Sequence, residues 1–363
     1  MKVGILTFHR AYNYGAVLQA YALQKTLTEL GYDAFVIDYK CDAVYDDYKI
    51  IRWDKVIRKN PIKMLSQLMR ELRHVPIKTK KSRAFKPFIE KQLHLFPLSK
   101  IGELDVLIVG SDQVWNPNIT RGFNNLFFGQ ICEGKFPLVS YAASSELITL
   151  TQTNENNYRD VLSRFNSISV RESGFARYLQ KLTTKPVQTV LDPTLLMNCN
   201  QWKEFTNAIK IRFDNYVLVY QARVYDKIIP FAKEIASQIG AKVLVITSNV
   251  TSIVDDDCIV ISNATPQEFV RYFIKARCAI ALSFHAVAFS ILSKIPFYAI
   301  YSGDGWDNRV ASLLTDLGLL NRFVSINSDV DFSVIDYTSI DLKLLELRRI
   351  SIEWIRSSLN KLL

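Results

Sequence analysis

At 363 residues, with 49% hydrophobic and 22% charged residues, the chain is long enough for two ordinary domains and too apolar to stay disordered. Its net charge of +10 is concentrated: Lys49 to Lys91 holds 14 Lys or Arg against 3 Asp or Glu, which leaves the rest of the chain at −1. No apolar run reaches the ~20 residues of a membrane span. The start, "MKVGILTFHRAYNYG", lacks the apolar core and cleavage site of a signal peptide, so a cytoplasmic location is expected. The five cysteines, Cys41, Cys132, Cys199, Cys258 and Cys278, form no CxxC pair. That argues against structural zinc and a disulfide framework, and no metal is expected.

In chain order, "KVGILTF" reads as a buried strand, and "GAVLQAYALQKTLTELG" as a helix stopped by Gly31. "AFVIDY" is the next strand, completing a βαβ unit whose strands run parallel. The basic segment follows as a helical insertion over 45–95. Within it Ile50, Trp53, Met64, Leu65, Leu68, Met69 and Leu72 interleave with cations at helical spacing. This is either a solvated face or an amphipathic element laid against an anionic surface, a membrane or a phosphate-bearing lipid carrier. Nucleic acid is not expected, since no helix-turn-helix, RNP or zinc-finger pattern is present. "LDVLIVGSD", "FPLVSYAAS", "SISV" and "VQTVLDP" supply further strands. The second half repeats the alternation: strands at "YVLVYQA", "AKVLVIT", "CAIALSF" and "PFYAIYS", helices between, and an amphipathic helix at the end. The spacing predicts an α/β protein of two doubly wound domains, over 1–195 and 196–340, with a C-terminal helix over 341–363.

In open α/β sheets ligands bind beyond the carboxyl ends of the strands, and several polar groups fall there. Asn13 and Gly15 lie between the first strand and its helix, as turn chemistry or as a backbone approach to an anion. Ser111, Asp112 and Gln113 follow a continuous apolar strand; Asp112 is a candidate base or hydroxyl-orienting group, or else a helix N-cap. Arg171, paired with Glu172 after "SISV", suits a carboxylate or phosphate, or is half of a surface ion pair. Asp192 reads as a structural brace. His285 opens a helix after "CAIALSF", where it is either a core histidine or an imidazole poised at the positive end of a helix dipole. His9 is a second candidate. His74 and His94 look incidental.

Together, "GILTFHRAYNYGAVLQAYALQKTLTELGYDAFVIDY", "VLIVGSDQVWN", "VSYAASS", "ISVRESG", "VLDPTLL" and "SFHAVAFSILSKIPF" resemble the polysaccharide pyruvyl transferase family in its order, from Val3 to about Arg309. The resemblance implies a GT-B-like fold, two Rossmann-like domains facing across a cleft, with the acceptor on the N-terminal side and the donor on the C-terminal side. It implies a bacterial enzyme of exopolysaccharide or capsule synthesis. Such an enzyme moves the pyruvyl group of phosphoenolpyruvate onto sugar hydroxyls as a ketal, without a cofactor. The acceptor would be a cell-surface polysaccharide or its lipid-linked precursor. By the same resemblance His285 is the general acid or phosphate contact, Arg171 binds the donor's anionic groups, and Asp112 deprotonates or orients the acceptor. Many members carry an arginine two residues before the histidine; here that residue is Ser283, and Ala286 replaces the glycine of an "SFHG" subset. Arg223 or Arg309 would then supply the missing charge. A glycosyltransferase using a nucleotide sugar, or a non-catalytic sugar-binding protein, are the competing expectations.

Overall fold

The computed structural model describes residues 1–57, 61–130, 136–145, 151–222, 225, 227–247, 257–303, 307–326 and 334–362. Seven strands form the first sheet: β1 (Lys2–Leu6), β2 (Asp33–Asp38), β3 (Leu95–Pro97), β4 (Val106–Val109), β5 (Leu138–Ala143), β6 (Ser167–Val170) and β7 (Val187–Thr189). Their spatial order is β3-β2-β1-β4-β5-β6-β7, and all pairs are parallel. Six more form the second: β8 (Tyr216–Gln221), β9 (Lys242–Thr247), β10 (Cys258–Ile261), β11 (Cys278–Ala281), β12 (Phe297–Ile300) and β13 (Phe323–Val324). This sheet, also parallel throughout, runs β10-β9-β8-β11-β12-β13. Helices cover both faces, so β4, β5, β8 and β11 are buried on both sides and read in sequence as unbroken apolar runs.

Each sheet reverses its winding once, between β1 and β4 in the first and between β8 and β11 in the second. Such a switch point leaves a crevice at the carboxyl ends, because the connections on its two sides leave toward opposite faces. The helix Tyr14–Glu29 leaves β1 at one crevice, capped by the Asn13 side chain on Ala16 N. Gly31 ends it at a φ of 90°, a left-handed conformation that glycine adopts without penalty. The helix Phe284–Ser293 leaves β11 at the other crevice, with Ser283 Oγ accepting from Ala286 N.

The two sheets share one continuous apolar core. Tyr14 stacks on Phe269 at 4.3 Å and donates its hydroxyl to Ala264 O at 2.8 Å, joining the first helix to the second sheet's layer. The last helix, Tyr337–Asn360, begins at a side-chain cap by Asp336 and returns to the first half. There Arg348 Nε donates to Leu195 O at 2.6 Å, and Ser351 Oγ accepts from Leu191 N at 3.0 Å. Cys278 packs between the layers, and burial pushes its thiol up to about 12, which suits a packing residue rather than a nucleophile.

The basic insertion contains a 32-residue helix, Pro61–Gln92. Its second half packs inward through Phe85, Phe88 and Ile89. In its first half Glu71 is buried against Lys78 at 2.9 Å. The apolar side chains around that glutamate point outward instead.

Candidate active site

The two switch points face one another. Between them lies a cleft of about 400 Å³, lined from the first sheet by Phe8, Asn13, Asp112 and Gln113, and from the second by Tyr220, Ser283, Phe284 and His285. Arg309 and Arg121 complete its walls. Two helix N-termini, at Tyr14 and Phe284, therefore meet across the same space, and each brings the positive end of its dipole. A larger depression of about 1010 Å³ beside Tyr337 lies away from both switch points. Two of its charges are already engaged, Lys294 with Asp341 and Arg348 with backbone carbonyls.

His285 is 7% exposed, so it is neither a surface residue nor sealed from the cleft it lines. Its Nε2 points at Asp192 Oδ2, 3.7 Å away, a distance of ionic approach rather than a made hydrogen bond. The opposite side of the ring rests on Gly15. A Cβ at position 15 would lie 2.0 Å from His285 Nδ1 and 2.5 Å from Cε1. Gly15 is thus the hollow into which the imidazole fits, and a contact between the two halves of the chain fixes the ring.

Asp192 is the centre of this arrangement. Its Oδ2 accepts from Arg171 Nη1 at 2.7 Å and from Ser111 Oγ at 3.3 Å; its Oδ1 accepts from Thr194 N at 2.9 Å and Thr194 Oγ1 at 2.6 Å. Burial alone would raise this carboxyl, but His285, Arg171 and Thr194 together hold it well below the usual carboxylate range. The bonds from Arg171 and Thr194 are the short ones, at 2.7 Å and 2.6–2.9 Å. Reading Asp192 as a brace is half right: it caps the helix Pro193–Leu196, and it also backs His285. The sequence signal was the "LDP" that ends the first half, but nothing in it pointed to a histidine 93 residues further on.

Arg171 departs from its expected role. Its side chain is 3% exposed and its guanidinium is shared among Asp192, Glu172 Oε1 at 3.2 Å and Asp112 Oδ1 at 4.0 Å. Burial works against its charge, and these carboxylates more than restore it. The Phe284 ring lies beneath it, 4.6 Å from centroid to guanidinium carbon. Arg171 is not among the residues that line the cleft, and its charge is shared among three carboxylates rather than left for a bound anion. It is also not half of a surface pair, because Glu172 is buried with it and accepts from Ser144 Oγ at 2.5 Å.

Asp112 is not a helix N-cap. It sits at a φ of 68°, in the left-handed region, with Oδ1 accepting from Gln113 N at 2.9 Å and its backbone bridged to Ala143. A non-glycine residue held there at a cleft edge is a local cost that the surrounding structure sustains. Gly110, at a φ of 126°, makes the turn possible, since a Cβ there would meet Tyr141 O at 2.1 Å. Ser111, expected to touch substrate, is instead fully buried and spent on Asp192. Gln113 does reach the cleft, its Oε1 accepting from Asn116 Nδ2. Asn13 and Ser283 line the cleft while capping their helices. Arg309 lines both this cleft and a small cavity behind Phe284, beside Arg171 and Asp192. Arg223 lies outside the described residues. Arg121, which the sequence did not single out, lines the cleft and pairs with Asp46 at 3.2 Å. His9 is fully buried, its ring nitrogens engaged by Thr7 O at 3.3 Å and Asp38 Oδ1 at 3.4 Å, as befits a structural histidine. Asp257 is exposed and pairs with Lys233 at 3.1 Å; Asp255 and Asp256 lie outside the described residues.

Two parallel-sheet α/β layers with facing switch points and a shared cleft define a protein of GT-B-like architecture. Its fold is similar to UDP-GlcNAc 2-epimerase from Neisseria meningitidis bound to UDP-GlcNAc, at 12% identity and a TM-score of 0.51, covering 99% of this chain and 100% of that one. UDP-GlcNAc 2-epimerase from Methanocaldococcus jannaschii matches at 10% identity and a TM-score of 0.47 (97% and 93% covered). The glycosyltransferase VinC in complex with dTDP matches at 10% and 0.43 (100% and 99% covered). A search of curated proteins finds no match. The family model for polysaccharide pyruvyl transferase matches residues 13–304, and the chain belongs to that family.

Proposed function

We propose that this transferase of polysaccharide biosynthesis uses phosphoenolpyruvate as donor and converts two hydroxyls of one acceptor sugar into a pyruvyl ketal, releasing phosphate. The observation that carries the reading is the convergence of His285, backed by Asp192 and seated on Gly15, with Asp112 at one cleft between two helix N-termini. The reaction needs a proton delivered to the donor's methylene carbon, which makes its C2 electrophilic. It needs two hydroxyl oxygens to bond to C2, and the C2–O bond to phosphate to break. Of the two hydroxyl protons lost, one balances that taken up by the methylene and the other leaves on phosphate. His285 is the general acid; Asp112 receives the hydroxyl proton on the acceptor side. The donor's carboxylate and phosphate are met by the two helix N-termini and by Arg309, which stands where Arg171 cannot reach. Arg171 is a positioning residue, holding Asp192 and facing Asp112.

The test is phosphate release from phosphoenolpyruvate in the presence of diol-bearing sugars. His285→Ala and Asp112→Asn should each lower turnover by about 10²–10⁴-fold, the usual contribution of a positioned acid or base. Turnover undiminished in both variants would remove the assignment.

A further inference from the structure

The cleft explains one end of the molecule and leaves the basic insertion unused. Of thirteen large apolar side chains exposed among the described residues, eight lie between Ile50 and Leu72. Four of them, Ile62, Leu65, Met69 and Leu72, recur at i, i+3, i+7 and i+10, the spacing of a single helix face, and are between 44% and 78% exposed. Trp53 and Ile57, at the two ends of the short helix Trp53–Val56 earlier in the insertion, are exposed as well. Along the helix from Pro61 to Ile89 the exposed charge is all of one sign. Lys63, Arg70, Arg73 and Lys80 are exposed, whereas Glu71, the one carboxylate between Pro61 and Ile89, is buried against Lys78. A solvated helix would show its carboxylate and hide its leucines; here the reverse holds.

The other side of the same helix borders the cleft's surroundings. Asp47 and Tyr48 line the cleft and also a neighbouring recess of about 230 Å³, whose other walls are Tyr12, His74, Ile77, Lys78 and Lys81. Lys78 and Lys81 belong to the same helix as the apolar stripe, and Lys81 Nζ lies over the Tyr48 ring at 5.3 Å.

We propose that the stripe Ile62–Leu72 with its flanking cations docks on a bilayer bearing anionic phospholipid, so that the acceptor is one presented at a membrane surface. The apolar side chains enter the headgroup boundary and the cations face lipid phosphates, the division of labour of an interfacial helix. The choice of acceptor rests on the pyruvyl-transfer reading; the docking does not.

Flotation of the full chain with vesicles, in the absence of donor, tests it. Vesicles of phosphatidylcholine mixed with phosphatidylglycerol should carry the protein at low salt, at least ten times more than phosphatidylcholine alone, and less as salt rises. The double variant Leu65→Ser, Met69→Ser should lose at least ten-fold of that binding with an unchanged melting curve, since both residues are exposed. Wild type that ignores anionic vesicles, or a double variant that binds them equally, overturns the proposal. So does a wild-type dimer that the double variant splits, which would make the stripe an interface between copies. Binding without phosphate release would sink only the transferase reading. Transfer onto a soluble sugar without binding would sink only the docking.

Discussion

Gly15 shows how much one missing methyl group can decide. At the start of a helix, it leaves the space that the His285 ring fills, which a Cβ there would overlap. Gly15→Ala would favour the helix by roughly 1 kcal/mol on propensity alone, yet its Cβ would overlap the imidazole. We predict a folded protein whose turnover falls about 10²-fold, the scale set by a displacement of about 1 Å in a catalytic group. The same change should cost nothing further in a His285→Ala background; additive losses would mean that Gly15 acts elsewhere. Asp192 makes a prediction about stability. Its carboxyl is held below the unfolded value of about 3.9, so its contribution is complete above that pH and is lost as pH falls through the folded value. Asp192→Asn strips the buried Arg171 guanidinium of its nearest counter-charge and should cost about 3–5 kcal/mol near neutrality. Denaturant melts should show that gap narrowing only in strong acid. A gap that closes between pH 8 and 6 would assign it to another group.

At the scale of elements, the central strands were legible because parallel strands covered on both faces must be apolar throughout. Val106–Val109 and Tyr216–Gln221 could be read directly from their letters. The edge strands β3, β10 and β13 were not, since each is two to four residues long and partly exposed, with no period to detect. His285 was placed correctly at a helix N-terminus on a strand end, because the change from continuous apolar strand to helix marks that point. Arg171 is drawn away from the cleft's lining for a definite reason. Local sequence shows Glu172 beside it, but its strongest partner, Asp192, arrives from beyond β7. Ser111 is drawn inward in the same way, its hydroxyl claimed by the same carboxylate. A strand-end residue is brought to the crevice by topology; whether its side chain faces ligand or a buried neighbour depends on contacts that sequence spacing does not contain. Ser283, where family members often have arginine, turns out to cap its helix, and Arg309 brings positive charge to the same cleft from another helix.

For the whole molecule, the governing fact is that the cleft lies between halves that share one apolar core. Tyr14 on Phe269, and Arg348 and Ser351 on the Leu191–Met197 segment, tie the sheets together in the way a single domain would be tied. Calorimetry should therefore show one unfolding transition, with two resolved transitions contradicting a shared core. The same coupling lets residues from distant parts of the chain build one site: Gly15 and Asp112 from the first sheet's crevice, Asp192 from the segment between the sheets, His285 from the second. The central claim, pyruvyl transfer at that junction, is tested most directly by following carbon label from phosphoenolpyruvate into a sugar acceptor, with wild type and His285→Ala side by side. Label should appear in an acid-labile ketal with one phosphate released per pyruvyl group transferred, and both should be lost in the variant. Label that fails to enter the sugar while phosphate is released, or that enters equally well without His285, would contradict it.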